Sequence, residues 1–461
     1  MFSESTYIRR RQLLSNQFKS GILLFLGNIE NPINFEHNPY PFRQDSTFLY
    51  FFGVQQAQLA AIMDIDEGKT IVFGNESSID DIIWMGQLES LQDKCLKSGV
   101  REVRPYQELF SYITHAISLK REIHYLPPYQ PSNKILLSQL FGINTTEIRA
   151  SVPFIKAVVA LRERKEELEI REIEKAVNIT NDMHRMAIRM AQPGMKEYHL
   201  ANAIQKFAAD SECGLSYPPI VTVRGEVLHN HFRSNTLEVG KMILNDSGVE
   251  TSEGYAGDIT RTFPIEKTFS SVQKEIYQIV LQAFEASQSL LKPGLNYKQI
   301  HLQAATSLVE GLKDLGLMKG NTEEAVRNHS HTLFFQCGVG HMMGLDVHDM
   351  EDLGEQYVGY TADEPKDTHT FGLKSLRLGK PLQEGFVVTV EPGIYFIPEL
   401  IDLWKSEKKN LDFINYDKVE EFKHFGGIRI EDNFLITASG YRLLGNGLEK
   451  TISEIENLRQ S

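Results

Sequence analysis

Four acidic side chains and one histidine, spread over four stretches of the C-terminal half, constrain most strongly what this chain can fold into. The stretches read DSGVETSEGYAGDITRTFP, GVGHMMGLDVHD, VVTVEPGIYF and FGGIRIEDN. Each sets a charged or titratable group beside apolar or glycine-rich segments, where burying an unpaired charge is costly. Two divalent cations would neutralise such a cluster and would turn it into a hydrolytic centre. The candidate ligands are Asp246, Asp258, His341, Glu391 and Glu431.

Length, charge and cysteine content narrow the class of protein. A chain of 461 residues exceeds one typical domain, so two domains are expected. Its 48 basic and 61 acidic side chains give a formal charge of −13, which argues against nucleic acid or a membrane as a partner. Each apolar run is shorter than the roughly 20 residues that span a bilayer. With no signal-peptide pattern and three scattered cysteines (Cys95, Cys213 and Cys337), we expect a cytoplasmic protein.

The pattern of apolar residues changes near residue 155. Over residues 1–155, the strand-like runs GILLFLG, LAAIMDI and KTIVFG alternate with helical stretches, which indicates an α/β domain. Residues 156–461 open with a long amphipathic helix that stops at Pro193-Gly194, and a new helix follows. The same order recurs around Pro293-Gly294. A true repeat predicts a pseudo-two-fold domain with its site between the halves; because Pro-Gly commonly ends helices, coincidence is the alternative.

The first acidic pair is predicted to lie on a hairpin. The segment KMILNDSGVETSEGYAGDITRTFPI reads as strand, polar turn and strand, with Asp246 at the end of the first strand and Asp258 at the start of the second. A hairpin places two such acids side by side, where they repel each other unless a metal lies between them. Two ordinary turn aspartates are the alternative.

The other three candidates lie in separate elements. A lone histidine is more often structural, so His341 becomes a ligand candidate only because the aspartate pair accompanies it. Glu391 ends an apolar run just before Pro-Gly and therefore needs an arginine or a metal as its partner. Glu431 shares a strand face with Arg429, so an Arg429–Glu431 ion pair is the alternative, and it could coexist with metal binding.

Taken together, DSGVETSEGYAGDITRTFP, HMMGLDVHD, TVEPGIYF and GGIRIEDN resemble the proline-specific pita-bread metallopeptidases, Xaa-Pro dipeptidase (prolidase) and aminopeptidase P. The segment YPFRQDSTFLYFFGV is similar to their N-terminal domain, so the resemblance covers nearly the whole chain. It implies an α+β fold: a smaller α/β N-terminal domain, then a pita-bread catalytic domain with pseudo-two-fold symmetry and helices over a curved antiparallel sheet. It also implies a homodimer, by analogy alone.

The resemblance further implies a site with two divalent metal ions, most often Mn²⁺. By similarity, Asp258 and Glu431 bridge both ions, Asp246 serves one, and His341 with Glu391 serves the other. Oxygen-dominated ligation agrees independently with a hard, manganese-like ion. Such ions activate water and polarise the scissile carbonyl, and Glu391 is then the expected general base.

Further positions resemble the substrate-side residues of the family. His229 and His348 are expected to position the substrate and stabilise the oxyanion, which makes them candidate catalytic residues beside Glu391. Arg377, in FGLKSLRLGK, aligns with the prolidase arginine that binds the free carboxylate of proline, a role that suits a guanidinium fork. A solvated basic loop is the alternative for Arg377, and His231 is interpreted as a surface bystander.

Three positions depart from the family pattern. The Asp246–Asp258 spacing is one residue wider than usual, so the connecting turn should bulge. Cys337 stands where the family often has a histidine, and a thiol cannot replace a cationic imidazole. Asn245 stands where an apolar residue is common. Substrate binding is where we expect these departures to matter.

The resulting hypothesis is a metallopeptidase that hydrolyses Xaa-Pro bonds in proline-containing di- or oligopeptides and releases the residue before proline. The GLKSLR segment and the long insert at residues 398–425 favour a dipeptidase. The N-terminal domain and the position of His229 suit aminopeptidase P, which acts on longer peptides. A catalytically dead pita-bread binding module is the hypothesis from another class; a creatinase-like amidinohydrolase shares the fold but not the full set of acids.

Overall fold

The computed structural model describes residues 2–461 and divides into two compact units. The first comprises the chain up to Arg162 together with residues 350–358, and the second comprises residues 163–349 and 359–461. Across residues 2–461, the length and apolar content of every helix fall short of what a membrane span requires.

The elements alternate along the chain as follows. The helices are α1 (Glu4–Ser15), α2 (Ser46–Phe52), α3 (Ile79–Met85), α4 (Leu91–Lys97), α5 (Glu108–Ser118), α6 (Pro131–Phe141), α7 (Val152–Arg162), α8 (Glu167–Met190), α9 (Glu197–Asp210), α10 (Ser271–Ser289), α11 (Tyr297–Asp314), α12 (Thr322–Arg327), α13 (Glu355–Val358), α14 (Pro398–Ser406), α15 (Tyr416–Glu420) and α16 (Ile452–Gln460). The strands are β1 (Ile22–Leu26), β2 (Ala60–Asp64), β3 (Lys69–Phe73), β4 (Glu102–Arg104), β5 (Ile123–Tyr125), β6 (Gly214–Leu215), β7 (Ile220–Thr222), β8 (Met242–Ser247), β9 (Val249–Glu250), β10 (Ile259–Pro264), β11 (Val387–Val390), β12 (Gly393–Tyr395), β13 (Gly427–Arg429), β14 (Asp432–Ile436) and β15 (Tyr441–Leu443). Short 3₁₀ helices lie at Thr145–Glu147, Ser330–Leu333, Glu351–Leu353 and Leu373–Ser375.

The first unit is built on a five-stranded mixed sheet in the order β4-β3-β2-β1-β5. The three predicted strand-like runs form β1, β2 and β3, which pair antiparallel, while β4 and β5 add at the edges in parallel. Alternate residues such as Ile22 and Leu24 of β1 pack on Leu109 of α5 and Leu137 of α6, because successive strand side chains point to opposite faces. The predicted α/β character of this region is confirmed.

The aromatic-rich segment of the first unit forms helix α2, and all of its residues are buried. Asp45 caps the helix, since its side chain accepts a hydrogen bond from the Phe48 backbone N–H at 2.8 Å. Gly53 ends it in the left-handed conformation (φ +63°). Core packing therefore explains the aromatic content of this segment.

The second unit combines long helices with short antiparallel strands, which confirms the predicted α+β class. Its strands form two three-stranded sheets, ordered β10-β8-β7 and β11-β14-β15, and two short ladders, β12-β13 and β6-β9. The two larger sheets approach each other at Glu431, whose backbone N–H donates to the Thr260 carbonyl at 3.1 Å. The apolar run that precedes the predicted long helix also forms a helix: it is α7, which ends at Arg162 in the first unit.

The predicted repeat within the second unit is real, because both copies use the same hydrogen bonds. After α8 and α10, Gly194 and Gly294 turn the chain with φ of +87° and +84°. Gly194 donates to the Leu237 carbonyl at 2.9 Å, and Gly294 donates to the Leu382 carbonyl at 2.8 Å. Leu237 and Leu382 each return one bond, to Met195 and Leu295 respectively.

This repeat places acids at equivalent points of the two halves. Asp246 follows Leu237 at the same spacing (237 to 246) as Glu391 follows Leu382 (382 to 391). In the same way, Asp258 immediately precedes β10 and Glu431 immediately precedes β14. The repeat therefore supplies two acids from each half.

Besides His184, which lies in hydrogen-bond contact with the Ser247 carbonyl, the second unit buries a neighbouring pair of histidines as neutral groups. His301 of α11 and His331 are 0% and 1% exposed, and their rings lie 6.5 Å apart. Among residues 2–461, neither ring has a hydrogen-bond partner. Burial, followed by the neighbouring His329, lowers the pKa of His301 to about 4; burial, followed by His301, lowers that of His331 to about 3. Both rings therefore resist protonation in the fold.

These two histidines should make the second unit acid-sensitive. Because their folded-state pKa values lie below the unfolded value, their stability contribution is complete above the unfolded pKa and is lost as the pH falls from about 6.5 towards 4. Each should remove about 2 kcal/mol between pH 7 and pH 5. We expect His301→Leu to shrink the pH-dependent loss in thermal midpoint, measured by calorimetry at both pH values. The exposed-site control His115→Gln should leave that loss unchanged; an unaltered loss in His301→Leu would contradict the prediction.

Candidate metal centre

The predicted hairpin forms and brings the first two acids together. Strands β8 and β10 pair antiparallel with Asp246 opposite Thr260, and Asp258 directly precedes β10. The widened connection between the two strands contains β9, which pairs with β6 outside the hairpin. Gly248 and Gly257 cross so closely that a Cβ on Gly248 would lie 1.8 Å from the Gly257 carbonyl oxygen. Only glycine fits this crossing.

Backbone hydrogen bonds position the histidine and the third acid. The Thr389 N–H donates to the His341 carbonyl at 3.0 Å, and the His341 N–H donates to Thr389 Oγ1 at 3.1 Å. Glu391, one residue beyond β11, donates its N–H to the Val339 carbonyl at 2.8 Å. The chain at His341 is therefore held beside β11, which ends at the glutamate.

Five side chains meet at one buried point of the second unit. Ligand atoms of Asp258, His341 and Glu431 all lie within 4.8 Å of one another, which is the grouping a metal ion requires. His341 Nε2 lies 3.3 Å from Asp258 Oδ2 and 3.4 Å from Glu391 Oε1. Asp246 joins the group through the Tyr217 hydroxyl, which contacts both Asp246 Oδ1 and Asp258 Oδ1. The structure thus brings together all five predicted candidates.

The tautomer of His341 suits a ligand. Its Nδ1 lies 3.0 Å from the Met342 carbonyl oxygen, which can only accept, so Nδ1 carries the proton. Nε2 is therefore the nitrogen that faces the carboxylates of Asp258 and Glu391; it donates its proton to them when no ion is bound and would offer its lone pair to a bound ion. A second hydrogen bond of this kind orients metal-bound histidines in general.

The alternative ion pair between Arg429 and Glu431 does not form. Within residues 2–461, the guanidinium of Arg429 pairs instead with Asp246 Oδ2 and donates to the Tyr395 hydroxyl at 2.8 Å and to Thr260 Oγ1 at 3.1 Å. Residues 427–429 belong to β13, whereas Glu431 lies beyond the strand end, so simple alternation does not carry through to it. Arg429 therefore neutralises the charge of Asp246, and Glu431 needs a different partner.

Glu431 provides the test of whether a metal fits. One of its oxygens accepts from Thr260 Oγ1 at 2.7 Å, while the other is buried and has no hydrogen-bond partner in the described part of the chain. Burial, and then the charges of Asp258 and Glu391, raise its pKa well above the usual range. A divalent cation would satisfy the orphan oxygen and reverse this shift. The oxygen-rich donor set fits a hard ion of the Mg²⁺, Ca²⁺ or Mn²⁺ type.

The other three carboxyls show the same competition between burial and neighbouring charge. Burial raises the pKa of Asp246 although Arg429 opposes it, and burial likewise raises the pKa of Glu391. The pKa of Asp258 is lowered, because the hydrogen bond and charge of His341 outweigh its burial. The cluster therefore holds protons until a cation replaces them.

Of the predicted substrate-side residues, His348 lies directly against this cluster. The half-buried ring of His348 meets that of His341 edge-on, with centroids 4.4 Å apart. His229 is exposed, as is His231. The pKa of His229 is lowered, first by partial desolvation and then by Arg429, with Arg377 acting in the same sense, so Arg377 lies within electrostatic range of His229.

Cys337 lies against the polar network rather than in a separate pocket. Its Sγ is 3.8 Å from the Tyr395 hydroxyl, which also accepts a hydrogen bond from Arg429. Burial, and then the nearby Glu391, raise the pKa of the thiol to about 11. A neutral thiol consequently stands where the resemblance leads one to expect a histidine.

Sequence reasoning missed three residues of this site. Tyr217 bridges the two aspartates, Thr260 contacts both Glu431 and Arg429, and Tyr395 contacts Arg429 and Cys337. Thr260 could have been found from the hairpin register, since it pairs directly with Asp246. Tyr217 and Tyr395 meet their partners across segments that are distant in sequence, so their spacing along the chain could not have predicted these contacts.

Comparison with known proteins places these features in a family. The profile of metallopeptidase family M24 matches residues 171–438, and that of the aminopeptidase P N-terminal domain matches residues 7–124. The chain is 30% identical to the Xaa-Pro dipeptidase of Homo sapiens, covering 90% of this chain and 84% of that protein. It is 29% identical to the Xaa-Pro aminopeptidase of Escherichia coli, covering 99% and 98%. A solved structure of Escherichia coli aminopeptidase P in complex with substrate is similar with a TM-score of 0.80 and 26% identity, covering 100% and 98%.

Metal binding should stabilise the second unit. Because a cation relieves repulsion among the buried carboxylates, adding Mn²⁺ to chelator-stripped protein should raise the thermal midpoint. The mutation Glu431→Gln should abolish most of that rise, since it removes the charge of the orphan oxygen. The control Asp402→Asn, at a carboxylate outside the cluster whose side chain is 63% exposed, should preserve it. An equal Mn²⁺ response in all three proteins would contradict the site.

Proposed function

Because the chain belongs to metallopeptidase family M24, we propose that it is a dinuclear-metal peptidase that hydrolyses the bond between an N-terminal residue and a following proline. The observation that carries the proposal is the convergence of four carboxylates and His341 around the unpartnered oxygen of Glu431. The relatives named above are Xaa-Pro peptidases, which supports the choice of bond.

The proposed metal ligands are the five residues of the cluster. Asp246, Asp258, His341, Glu391 and Glu431 would together hold two divalent ions. Bound divalent ions supply Lewis-acid polarisation of the scissile carbonyl and activate water near neutral pH. Mn²⁺ is proposed as the metal because oxygen donors dominate the set.

Glu391 is the proposed proton carrier. Its side chain is 18% exposed, against 12% for Asp246 and 7% for Asp258, so it is the more accessible acid to an incoming peptide. Its Oε1 lies 3.4 Å from Thr389 Oγ1, which orients the carboxylate. A carboxylate in this position could take a proton and return it to the leaving proline nitrogen.

His348 and His229 are proposed to act on the substrate. The contact of His348 with His341 places it at the edge of the metal cluster, where an imidazole N–H can stabilise charge developing on the carbonyl oxygen. His229 is exposed, which leaves it accessible to the peptide. A cytoplasmic location and a homodimer are likewise proposed from the sequence.

The observations that bear on the preferred length of the peptide substrate favour different answers. Identity to the human dipeptidase and to the Escherichia coli aminopeptidase is nearly equal, whereas the solved structure above is an aminopeptidase P. We therefore propose cleavage of longer peptides first. Dipeptide cleavage is the second candidate, supported by Arg377 near His229, since a guanidinium fork suits the free carboxylate of a C-terminal proline.

The activity itself is tested with metal-stripped and Mn²⁺-restored protein. Hydrolysis of Gly-Pro-Ala should depend on Mn²⁺, and Gly-Ala-Ala should be cleaved far more slowly. The mutation Asp258→Asn removes the charge of a proposed metal ligand. Because metal ions stabilise the transition state of such reactions by several kcal/mol, kcat/KM should fall at least about 100-fold. A wild-type chain that gains no turnover with Mn²⁺ would favour the non-catalytic binding module instead.

Arg377 decides between the two substrate classes. If its guanidinium binds the proline carboxylate, Arg377→Ala should lower kcat/KM for Gly-Pro by about 10- to 100-fold, because hydrogen bonds to charged groups are the strong ones. Gly-Pro-Ala should be affected far less. The control Lys374→Ala removes an exposed cation from the same loop and should change neither rate. Equal losses on both peptides would remove the reason to propose a dipeptidase.

A further inference from the structure

Both histidines proposed to work together, His341 and His348, lie on one short loop, which we call the His341–Asp349 loop. Its first part is pinned by the backbone: Met343 donates to the Val387 carbonyl at 3.0 Å, and the Gly344 carbonyl accepts from Ala256 at 2.9 Å. These bonds position His341 but stop short of His348.

The far end of the loop is held by an ion pair. Asp349, next to His348 in the chain, closes the loop through its N–H, which donates to the Met342 carbonyl at 2.9 Å. Its carboxylate Oδ2 lies 2.7 Å from the Nζ of Lys165, and both side chains are only 1% exposed. Asp349 is also the last residue of the second unit before residues 350–358. The ion pair is therefore a buried side-chain anchor at the end of this loop.

The ion pair also occupies the interior of the loop. A Cβ on Gly344 would lie 2.7 Å from Asp349 Oδ2 and 2.7 Å from Lys165 Cε. Gly344 is thus a position where any other side chain would displace the pair. Burying two charges is costly, so this ion pair adds little net stability to the fold. Its close geometry instead fixes the conformation of the loop.

Lys165 is itself fixed in place. It lies in the short connection between α7 and α8, and its N–H donates to the Gly385 carbonyl at 2.7 Å. This backbone bond gives Lys165 a defined position beside Asp349. Two residues earlier, Glu163 forms a separate buried pair with Lys380 at 2.6 Å, with side chains 13% and 6% exposed.

We infer that Lys165 is a positioning residue for catalysis: through Asp349 it sets the orientation of His348 against the metal cluster. The inference rests on the proposed function, because it assumes that His348 acts on the substrate. Lys165 touches neither substrate nor metal in this scheme. Its effect on turnover passes entirely through His348.

A double-mutant cycle tests this coupling. The mutation Lys165→Met should lower kcat for Gly-Pro-Ala by about 10- to 100-fold, the range for residues that orient a functional side chain, with a much smaller change in KM. In a His348→Ala background, Lys165→Met should have no further effect, because two residues that act as one unit are not additive. Lys165→Arg, which keeps the charge, should restore part of the lost turnover.

Two controls separate positioning from a purely structural role. Lys380→Met breaks the neighbouring buried pair with Glu163 but leaves the His341–Asp349 loop anchored, so kcat should be unchanged. Calorimetric titration of Lys165→Met with Mn²⁺ should give the wild-type stoichiometry, because His341 is held by separate backbone bonds.

The outcomes that overturn the inference are distinct from those that overturn the proposed function. An inactive wild type removes the proposed function and this inference with it. An active wild type in which the loss from Lys165→Met persists in His348→Ala, or is matched by Lys380→Met, removes the inference alone. Should Lys165→Met not fold, the cycle is repeated with Lys165→Met combined with Asp349→Leu, which leaves neither charge buried alone. Failure of that variant to fold would also overturn the inference.

Discussion

The mutual repulsion of four clustered carboxylates, three of them buried, is the constraint on which the rest of the catalytic unit depends. In a low-dielectric interior, such charges are tolerated only with partners close by. Arg429 supplies one positive charge to Asp246, and His341 faces Asp258 and Glu391. Glu431, with one oxygen that has no hydrogen-bond partner among residues 2–461, marks where a cation is required. The geometry is therefore arranged for a metal that supplies the missing charge.

The internal repeat explains how one chain builds such a site. Each half contributes a helix, a glycine turn with positive φ, a second helix and a sheet strand that ends at an acid. The two sheets meet where Glu431 donates to the Thr260 carbonyl, so the acids of both halves face a common point. His341 lies on the strand-flanking segment of one half only, beside Thr389. An approximately symmetric scaffold thus acquires an asymmetric set of ligands.

Buried charged pairs hold the side chains and the loop around the cluster. The Arg429 guanidinium reaches Asp246 and Tyr395, and the Tyr395 hydroxyl in turn meets Cys337. On the other side, the Lys165–Asp349 pair closes the loop that bears His348. Orientation of catalytic groups by such supporting contacts is a general requirement of metal sites. The neutral thiol at Cys337 distinguishes this site from what its motifs lead one to expect.

The sequence by itself determined the hairpin of Asp246 and Asp258, the α/β pattern of the first unit and five candidate ligands, and it indicated the repeat through two Pro-Gly turns. The hairpin, the strand pattern and the turns depend on local periodicity and turn chemistry, which are written within a few residues of each other. The α+β class was implied by the resemblance of the motifs to a family. Only the tertiary structure decided that Arg429 pairs with Asp246 rather than Glu431, that Tyr217 joins both aspartates, and that Lys165 meets Asp349. These contacts join segments up to 184 positions apart. They follow from strand register and packing, which cannot be inferred from the spacing of residues along the chain.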